Sequence, residues 1–421
     1  MPPSHTGKAA RQHKGDTVPN NLKHPVLAKW ALLLVSILSI MAGTSLAPAL
    51  PIIQDAFAGQ ANVEMLTRLV QTTHALFIVL AAPLAGAAAD RHGRKKLLVF
   101  ALGLYAVSGV SGYFAGSLAS LLAGRALLGV AIAISATTAT ALIADYFEGP
   151  ERASLMGLQM ASTTVGAVIC LALGGYLADI GWREPFLIYL FAALLLPLAI
   201  MVLSEPAHHG TPHRGAANIA GRWLIGIVLV VAFLGSVAMY SIAVQVPFYL
   251  REVFHLGGFG TGLVIASGTV FATLASLGYA RTRRHAQYPG LFAASFLLMG
   301  VGFLLVGWAD SVPMVIAGLC MTGASTGLQM PTLNNWLADL APTTVRGKVL
   351  GALTTALFLG QFVSPLVLTP LLARLSYSAF FAALGLAALM LWLVLLAARG
   401  VLTQLSAETE RQARSGAPGQ A

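Results

Sequence analysis

The chain has 421 residues, of which 57% are hydrophobic and only 10% are charged, and its mean hydropathy is +0.79. A soluble domain carries roughly 25% charged residues, so this composition excludes an ordinary soluble protein and predicts a polytopic membrane protein. The net charge of +10 would suggest nucleic-acid binding in a soluble protein, whereas here it predicts basic loops that face anionic lipid. Both cysteines, Cys170 and Cys320, fall inside apolar runs, so a disulfide framework is not expected.

Twelve apolar runs follow a basic N-terminal tail. One membrane-spanning helix needs about 20 apolar residues, and runs of this order lie near residues 30–50, 66–89, 97–116, 118–144, 154–178, 185–203, 223–248, 258–280, 289–308, 312–337, 348–372 and 377–398. The tail is not a signal peptide, because a full-length span follows it rather than a short apolar segment with a cleavage site.

The longest polar interruption, residues 205–221, divides the twelve runs into two sets of six. We therefore expect five parts along the chain. They are an N-tail 1–29, a first six-helix bundle 30–204, a linker 205–221, a second six-helix bundle 222–399 and a C-tail 400–421.

The positions of lysine and arginine predict the orientation. Of the 25 such residues, 20 fall on tails and loops that share a side with the N-terminus, four fall on the other side, and Arg125 lies inside a run. Loops rich in Lys and Arg face the cytoplasm. Both tails and the linker are therefore expected to be cytoplasmic, and the chain is expected to be a multi-pass protein of the cell inner (plasma) membrane.

The two sets of runs also carry a repeated pattern, in which seven residues recur 194 positions later. The residues Gly124, Gly129, Ala144, Asp145, Arg152, Gly157 and Gly166 reappear as Gly318, Gly323, Ala338, Asp339, Arg346, Gly351 and Gly360. Arg125 is the exception, because position 319 is leucine. A register kept through two runs and the loop between them predicts two halves related by duplication.

A dense charge cluster lies between the second and third runs, in the sequence Gly86-Ala-Ala-Ala-Asp90-Arg91-His92-Gly93-Arg94-Lys95-Lys96. A plain positively charged loop explains the Lys and Arg residues, but not Asp90 or the glycine spacing. The pattern resembles the loop between helices 2 and 3 of the major facilitator superfamily. The end of the first run, Ala47-Pro-Ala-Leu-Pro51-Ile-Ile-Gln-Asp55-Ala-Phe57, is similar to that of the family's twelve-helix, drug:proton antiporter-like exporter branch.

This resemblance implies an all-α membrane fold with twelve transmembrane helices in two pseudo-symmetric six-helix bundles. It implies a monomeric secondary transporter in the lipid bilayer that exports a small amphipathic drug, siderophore or metabolite by alternating access, coupled to protons. Multidrug efflux is the related expectation. No enzymatic activity, catalytic residue, metal, cofactor or nucleic-acid partner is expected. One alternative is an importer or facilitator of an organic acid or sugar with the same fold, and another is a membrane-embedded enzyme or receptor.

The resemblance implies a cytoplasmic gate of ion pairs that holds the halves together in one state of the cycle. The alternative is a set of solvated caps at the membrane surface, each contributing well under about 1 kcal/mol. The candidate gate residues are Gly86, Asp90, Arg91, Gly93, Arg94, Asp145, Arg152, Asp339 and Arg346.

Arg125 is the one arginine placed well inside a run, where a guanidinium costs at least about 2.5 kcal/mol. The sequence Arg125-Ala-Leu-Leu-Gly129 resembles the family's helix-4 motif, whose arginine is associated with proton coupling or substrate contact. The alternative is a structural arginine bonded to backbone carbonyls. None of the fifteen acidic residues lies in the middle of a run, so an anionic or neutral substrate is favoured over a cation.

His74 is a candidate proton carrier, because the ordinary pKa of histidine lies near working pH. A bonded structural histidine is the alternative. Other polar residues inside the runs are candidates for the substrate or proton-coupling site, although Ser and Thr among such residues often bond back to their own helix. They are Gln71, Gln159, Tyr240, Gln245, Gln329, Asn334 and Gln361.

The fifth run contains a partial copy of the family's antiporter motif. Its outer glycines Gly166, Gly174 and Gly175 are present, but Cys170-Leu171 stands where the motif has Gly-Pro. Close helix packing through small residues is expected to be retained, whereas a proline kink is not. The departure leaves the importer alternative open.

Overall fold

The structure is a computed structural model that describes residues 24–205, 221–342 and 345–415. Over these residues it is helical, without strands, and twelve of its helices are long and apolar enough to cross a membrane. We number them helix 1 to helix 12 in chain order: Pro25–Ala56, Val63–His92, Arg94–Phe114, Leu118–Tyr146, Gly149–Ile180, Glu184–Val202, Arg222–Phe254, Gly258–Arg283, Tyr288–Gly307, Val312–Leu340, Arg346–Leu372 and Tyr377–Ala397. The predicted all-α fold class is confirmed.

Local sequence explains why these helices begin where they do. Ser117 accepts a hydrogen bond from the backbone N–H of Ser120 at the start of helix 4, and Ser376 does the same for Ala379 at the start of helix 12. Several other helices have proline in their first turn, where its missing N–H costs nothing. Short polar turns therefore separate long apolar helices.

Helix 1 is broken, whereas helix 7 is a single α-helix. The first α-helical part of helix 1 ends at Thr44, and a 3-10 turn, Ala47–Ala49, leads into a second part, Leu50–Ala56. Pro48 explains the break, because its ring lacks an N–H and interrupts the hydrogen-bond ladder. Helix 7 continues from Arg222 to Phe254 despite Pro247.

The described residues form two large hydrophobic cores. One takes its buried residues from Ala28 to Leu203, and the other from Leu224 to Leu402 together with Leu171. We call the parts of the chain around them the first half and the second half. Their bounds are still a prediction, and residues 1–23 of the N-tail, 206–220 of the linker and 416–421 of the C-tail lie outside the described residues.

Glycine contacts repeat between the halves with the spacing of 194. A Cβ on Gly129 would collide with the backbone carbonyl of His74, and a Cβ on Gly323 would collide with that of Gly268. A Cβ on Gly124 would meet the carbonyl of Ser108. At the corresponding positions of the second half, a Cβ on Gly318 would meet the carbonyl of Gly302. Helices 2, 3 and 4 therefore pack as helices 8, 9 and 10 do, as small residues allow inside a membrane.

The last described segment forms helix 13, Arg399–Ser415, where only a C-tail was expected. Its buried Ser406 accepts a hydrogen bond from the indole N–H of Trp336 at 3.0 Å. The pattern of apolar runs does not predict this helix, because its composition is polar and its buried residues include Ser406 and Thr409.

Candidate functional site

Arg125 lies at the centre of the first half, with only 2% of its surface exposed. Its Nε donates to the carbonyl of Val70 at 3.0 Å, and its Nη1 donates to the Tyr189 hydroxyl at 2.6 Å. Its Nη2 donates to the carbonyl of Ala42 and lies 3.4 Å from Nδ1 of His74. The guanidinium is therefore bonded to helices 1, 2 and 6, which matches the structural alternative left open above.

Gln71 makes a second contact with the break in helix 1. Its Nε2 donates to the carbonyl of Gly43 at 2.6 Å. Tyr189 links the same region, because its hydroxyl lies 2.9 Å from Oγ of Ser45. The side chains of helices 2, 4 and 6 thus converge on residues 42–45 of helix 1.

His74 lies between this cluster and the second half. It is 3% exposed, and its Nδ1 faces the Arg125 cation, so in the neutral ring the proton belongs on Nε2. A Cβ placed on Gly43 would lie 3.8 Å from that Nε2 and 3.3 Å from the hydroxyl of Tyr240 on helix 7. Gly43 therefore leaves room for His74 of one half and Tyr240 of the other to approach the same point.

Several polar atoms of helices 2 and 7 are buried without a hydrogen-bond partner of good geometry in the described part of the chain. They are Oε1 of Gln71, the hydroxyl of Tyr240 and the hydroxyls of Thr67 and Thr72. Buried polar groups are normally paired. Polar groups left in this condition between two halves can receive water, a proton or a polar group of a substrate.

The remaining candidates lie elsewhere. Gln245 accepts a hydrogen bond from Nε of Arg68 at 2.9 Å, and Gln159 donates to Ser36 at 2.9 Å. Asn334 is exposed and donates to the carbonyl of Met330, while Gln361 is half-buried on helix 11. Nε2 of Gln329 is buried against Gly235 and lacks a partner among the described residues. The structure thus brings together Gln71, His74, Arg125 and Tyr240.

We call the end of the molecule that carries residues 90–96, 147–148, 341–342 and 345 the basic end. Arg94 forms an ion pair with Asp145 and lies 3.7 Å from Asp90. In the repeat, Asp339 instead accepts from the Tyr288 hydroxyl at 2.6 Å, and Arg346 donates to the carbonyl of Ala338 at 2.9 Å. Among the described residues, the ion pairs at this end join residues of the first half to one another.

Within the described part of the chain, three other predicted gate residues make no contact that supports a gate in this state. Arg91 and Arg152 are exposed, and a Cβ on Gly86 would meet open space. Gly93 is different, because its φ of +93° suits glycine and a Cβ would collide with the carboxylate of Glu205.

Glu205 is a residue that the sequence analysis missed. Its carboxylate accepts from the backbone N–H groups of Lys95 and Lys96 at 3.3 and 3.4 Å, at the start of helix 3. An acidic side chain at a helix N-terminus is stabilising. No local signal identifies it, because Glu205 is 110 residues away from Lys95 in the chain.

The halves are joined by polar contacts at the other end, which we call the opposite end. Arg251 forms an ion pair with Asp55 at 2.7 Å. Asp179 accepts from the backbone N–H groups of Gly258 and Phe259 at 2.5 and 2.9 Å. Arg68, which is 5% exposed, contributes the bond to Gln245; its place two residues into the second apolar run could have identified it.

The glycines of the fifth run pack closely. A Cβ on Gly166 would meet Ile37, and a Cβ on Gly174 would collide with the carbonyl of Ser45, next to the break in helix 1. A Cβ on Gly175 would collide with the carbonyl of Gly258 in the second half. Whether these glycines serve antiport is still a prediction.

Comparisons with known proteins agree on one family. The family model described as Major Facilitator Superfamily matches residues 32–293 and 277–418. The tetracycline resistance protein, class C, of Escherichia coli is 29% identical over 71% of this chain and 78% of its own length. The bacillibactin exporter of Bacillus subtilis is 24% identical over 87% of this chain and 94% of its own length.

A solved structure shows the same fold at low identity. It is a POT family transporter in complex with 5-aminolevulinic acid, with a TM-score of 0.75 and 14% sequence identity. The match covers 89% of this chain and 96% of that chain. At this identity the likeness extends to the arrangement of the helices alone.

Proposed function

The chain belongs to the Major Facilitator Superfamily, and on that premise we propose that it exports a small amphipathic organic compound across the cell inner membrane, coupled to protons. The protein is a multi-pass, drug-exporter-like membrane transporter of small molecules and not an enzyme. The substrate is a drug, a siderophore or a metabolite, and the transporter acts as a monomer with both termini in the cytoplasm.

The observation that carries the proposal is the buried contact between the halves at His74, Gly43 and Tyr240. It lies where a passage between the two halves would run. Its unpaired polar atoms give a substrate or a proton something to bind. The names of the relatives, a resistance protein and an exporter, support the outward direction.

The polar contacts of the opposite end support a state closed to the outside. In the proposed cycle the substrate enters from the basic, cytoplasmic end. The contacts of Asp55 with Arg251 and of Asp179 with the start of helix 8 then break, and the basic ends of the halves come together. Arg94, Asp145, Asp339 and Arg346 stand at the ends that would meet.

His74 supplies a route for the proton. In the state described here the ring is buried, with its Nδ1 at 3.4 Å from Nη2 of Arg125 and its Nε2 near Gly43. A protonated ring would put two positive charges side by side in a site of low dielectric constant, where they repel. Protonation from the outside is therefore coupled to a movement that separates them, and return of the proton to the cytoplasm restores the enclosed state.

The charge of the substrate follows from what lies near the site. The fifteen acidic residues of the sequence avoid the middle of the runs, so a cationic substrate lacks a buried counter-charge. The charge of Arg125 is covered by its hydrogen bonds, so the site suits a neutral compound. The nearby positive charge favours an anionic compound over a cationic one without a direct contact.

A susceptibility and accumulation screen in an efflux-deficient bacterial host tests the proposal. It compares the wild type with Asp90→Asn and Arg125→Ala, using matched anionic, neutral and cationic compounds. We expect the wild type to lower the accumulation of anionic or neutral compounds, Arg125→Ala to lose this effect and Asp90→Asn to weaken it. Export of cations with an active Arg125→Ala would contradict the account of substrate charge.

One alternative is favoured by a specific observation. Cys170-Leu171 replaces the Gly-Pro of the antiporter motif, and helix 5 runs as one α-helix from Gly149 to Ile180. An importer or facilitator of an organic acid or sugar fits that departure. Transport into right-side-out vesicles, rather than into inverted vesicles, would select the importer.

A further inference from the structure

The break in helix 1 leaves backbone groups that need partners. In a continuous helix the carbonyls of Ala42 and Gly43 would accept from residues 46 and 47. Leu46 and Ala47 have left the α-helix, and their region is bonded as a tight turn, with Ala49 N–H donating to Leu46 O. A buried carbonyl without a donor is costly, above all inside a membrane.

Two side chains from other helices take the place of the missing donors. Arg125 donates to the carbonyl of Ala42 and Gln71 donates to that of Gly43. Arg125 is in turn fixed by Val70 and by Tyr189, which also contacts Ser45. The break is therefore held by bonds that end on its backbone, and not by apolar packing alone.

The second half provides the internal comparison. The residue 194 positions after Arg125 is Leu319, and the residue 194 positions after Gln71 is Ile265. The same spacing is kept by the glycine contacts of helices 2, 3 and 4 with their counterparts. Helix 7, which corresponds to helix 1, is unbroken. The two donors occur in the half whose first helix is broken, and apolar residues stand at both positions in the other.

We propose that Arg125 and Gln71 are positioning residues that hold the break in helix 1, and that the break is required for transport. When the break is held, Gly43 stays at the point that His74 and Tyr240 approach. The second part of helix 1, Leu50–Ala56, is then directed so that its Asp55 reaches Arg251 at the opposite end. This inference rests on transport but not on proton coupling or direction. It separates the arginine from substrate contact and from proton transfer.

Hydrogen–deuterium exchange on the purified full-length protein tests, without any substrate, whether Arg125 and Gln71 hold the break in helix 1. The variants are Arg125→Leu and Gln71→Ile, which install the residues of the second half. We expect the amides of residues 41–50 to exchange about tenfold faster, as the loss of one buried bond implies, with no change in helix 7. Unchanged exchange at residues 41–50 in both variants would overturn the proposal, and Gln71→Ile decides it if Arg125→Leu does not fold.

Ser325→Ala is the matched control. Ser325 also donates from a buried position to a backbone carbonyl of a neighbouring helix, that of Ser295 at 2.7 Å, but in the second half. We expect it to lower thermal stability comparably while residues 41–50 exchange as in the wild type. Faster exchange at residues 41–50 in this control would show a general loosening and would also overturn the proposal.

Transport in proteoliposomes separates a positioning role from proton coupling. Radiolabelled tetracycline is the probe, measured as exchange without a gradient and as accumulation driven by a pH gradient. A positioning role predicts that Gln71→Ile and Arg125→Leu lose both. Loss of driven accumulation with normal exchange in Arg125→Leu would assign the arginine to proton coupling instead. If the wild type does not transport tetracycline, the proposed function loses support. The hydrogen-exchange result still tests whether Arg125 and Gln71 hold the break in helix 1.

Pro48→Ala distinguishes a required break from a merely structural one. It restores an N–H at position 48 and lets helix 1 continue, so residues 42 and 43 regain helical partners. We expect it to restore slow hydrogen exchange at residues 41–50 of Gln71→Ile without restoring tetracycline exchange. Recovery of both would show that transport does not need the break, and would overturn the proposal.

Discussion

The two halves of the molecule share one helix arrangement but differ in what fills it. The first half has a broken helix 1, with Arg125 and Gln71 bonded to its backbone. The second half has an unbroken helix 7, with Leu319 and Ile265 at the corresponding positions. His74, which lies at the contact with Gly43 and Tyr240, belongs to the first half. The corresponding residue of the second half is Gly268, which has no side chain to titrate.

The comparison shows that the residues that pack the helices are repeated in both halves, whereas the candidate transport residues are not. Glycines that set the helix crossings are kept at the same spacing in both halves, because a side chain there would meet a backbone carbonyl. Buried polar residues occur in both halves, but among the described residues the buried arginines and the buried histidine, Arg68, Arg125 and His74, all lie in the first half. Duplicated packing therefore explains the symmetry of the fold, while the transport chemistry is expected to be asymmetric.

The largest effect should come from the shared packing and should be equal in the halves. Gly129→Ala and Gly323→Ala each place a methyl group against a backbone carbonyl, which overpacks the crossing by about 1–3 kcal/mol. Gly157→Ala and Gly351→Ala are the controls, because a Cβ there meets open space. Thermal unfolding should show a similar loss for the first pair and none for the second; a loss in one half only would contradict equivalent packing.

The next effect should be confined to the first half. His74→Gln removes the group that carries the proton in our account, while keeping a polar side chain of similar length. Accumulation driven by a pH gradient should fall to the level of liposomes without the protein, and exchange without a gradient should persist. Full coupled transport in both His74→Gln and His74→Ala would remove histidine from the mechanism.

A smaller difference is expected at the basic end. Arg94→Ala breaks an ion pair with Asp145 that is about one-quarter exposed on each side, and a bond to the carbonyl of Ala141. Arg346, among the described residues, donates to the backbone carbonyl of Ala338. A partly exposed ion pair contributes up to about 1 kcal/mol. Transport rates should therefore fall a few-fold for Arg94→Ala and less for Arg346→Ala. Equal losses would mean that both arginines act in a shared gate.

The smallest effect is expected at the opposite end. The pair Asp55 and Arg251 is 64% and 40% exposed on its side chains, so solvent screens it and its removal should cost well under about 1 kcal/mol. Arg251→Ala should change transport by no more than about threefold. The reciprocal swap Asp55→Arg with Arg251→Asp should restore it, and failure of the swap would show that the pair does more than join the halves.

Much of the fold follows from the sequence for clear physical reasons. Twelve apolar runs of spanning length predict twelve helices, and the spacing of 194 predicts the repeated glycine contacts. The dense charges between the second and third runs predict the family. Helix 13 was not predicted, because its polar sequence resembles a tail and its burial depends on Trp336, which is distant in the chain.

The site was predicted less completely. Arg125 stood out because a buried charge needs partners, and bonding to backbone carbonyls was one of the two roles considered. That these carbonyls belong to a break in helix 1 could not be read from the sequence, since helix rotation is set by packing. For the same reason Gln159 and Asn334, chosen by type, lie apart from the cluster, while the contribution of Tyr189 was missed.

The most direct test of the account measures accumulation of tetracycline in inverted membrane vesicles with an acidic lumen. Wild type, His74→Gln and Arg125→Leu are compared with and without a protonophore. We predict that the wild type accumulates the compound until the gradient is collapsed, that His74→Gln exchanges without accumulating, and that Arg125→Leu does neither. Wild-type accumulation that survives collapse of the gradient, or normal accumulation by Arg125→Leu, would contradict the account.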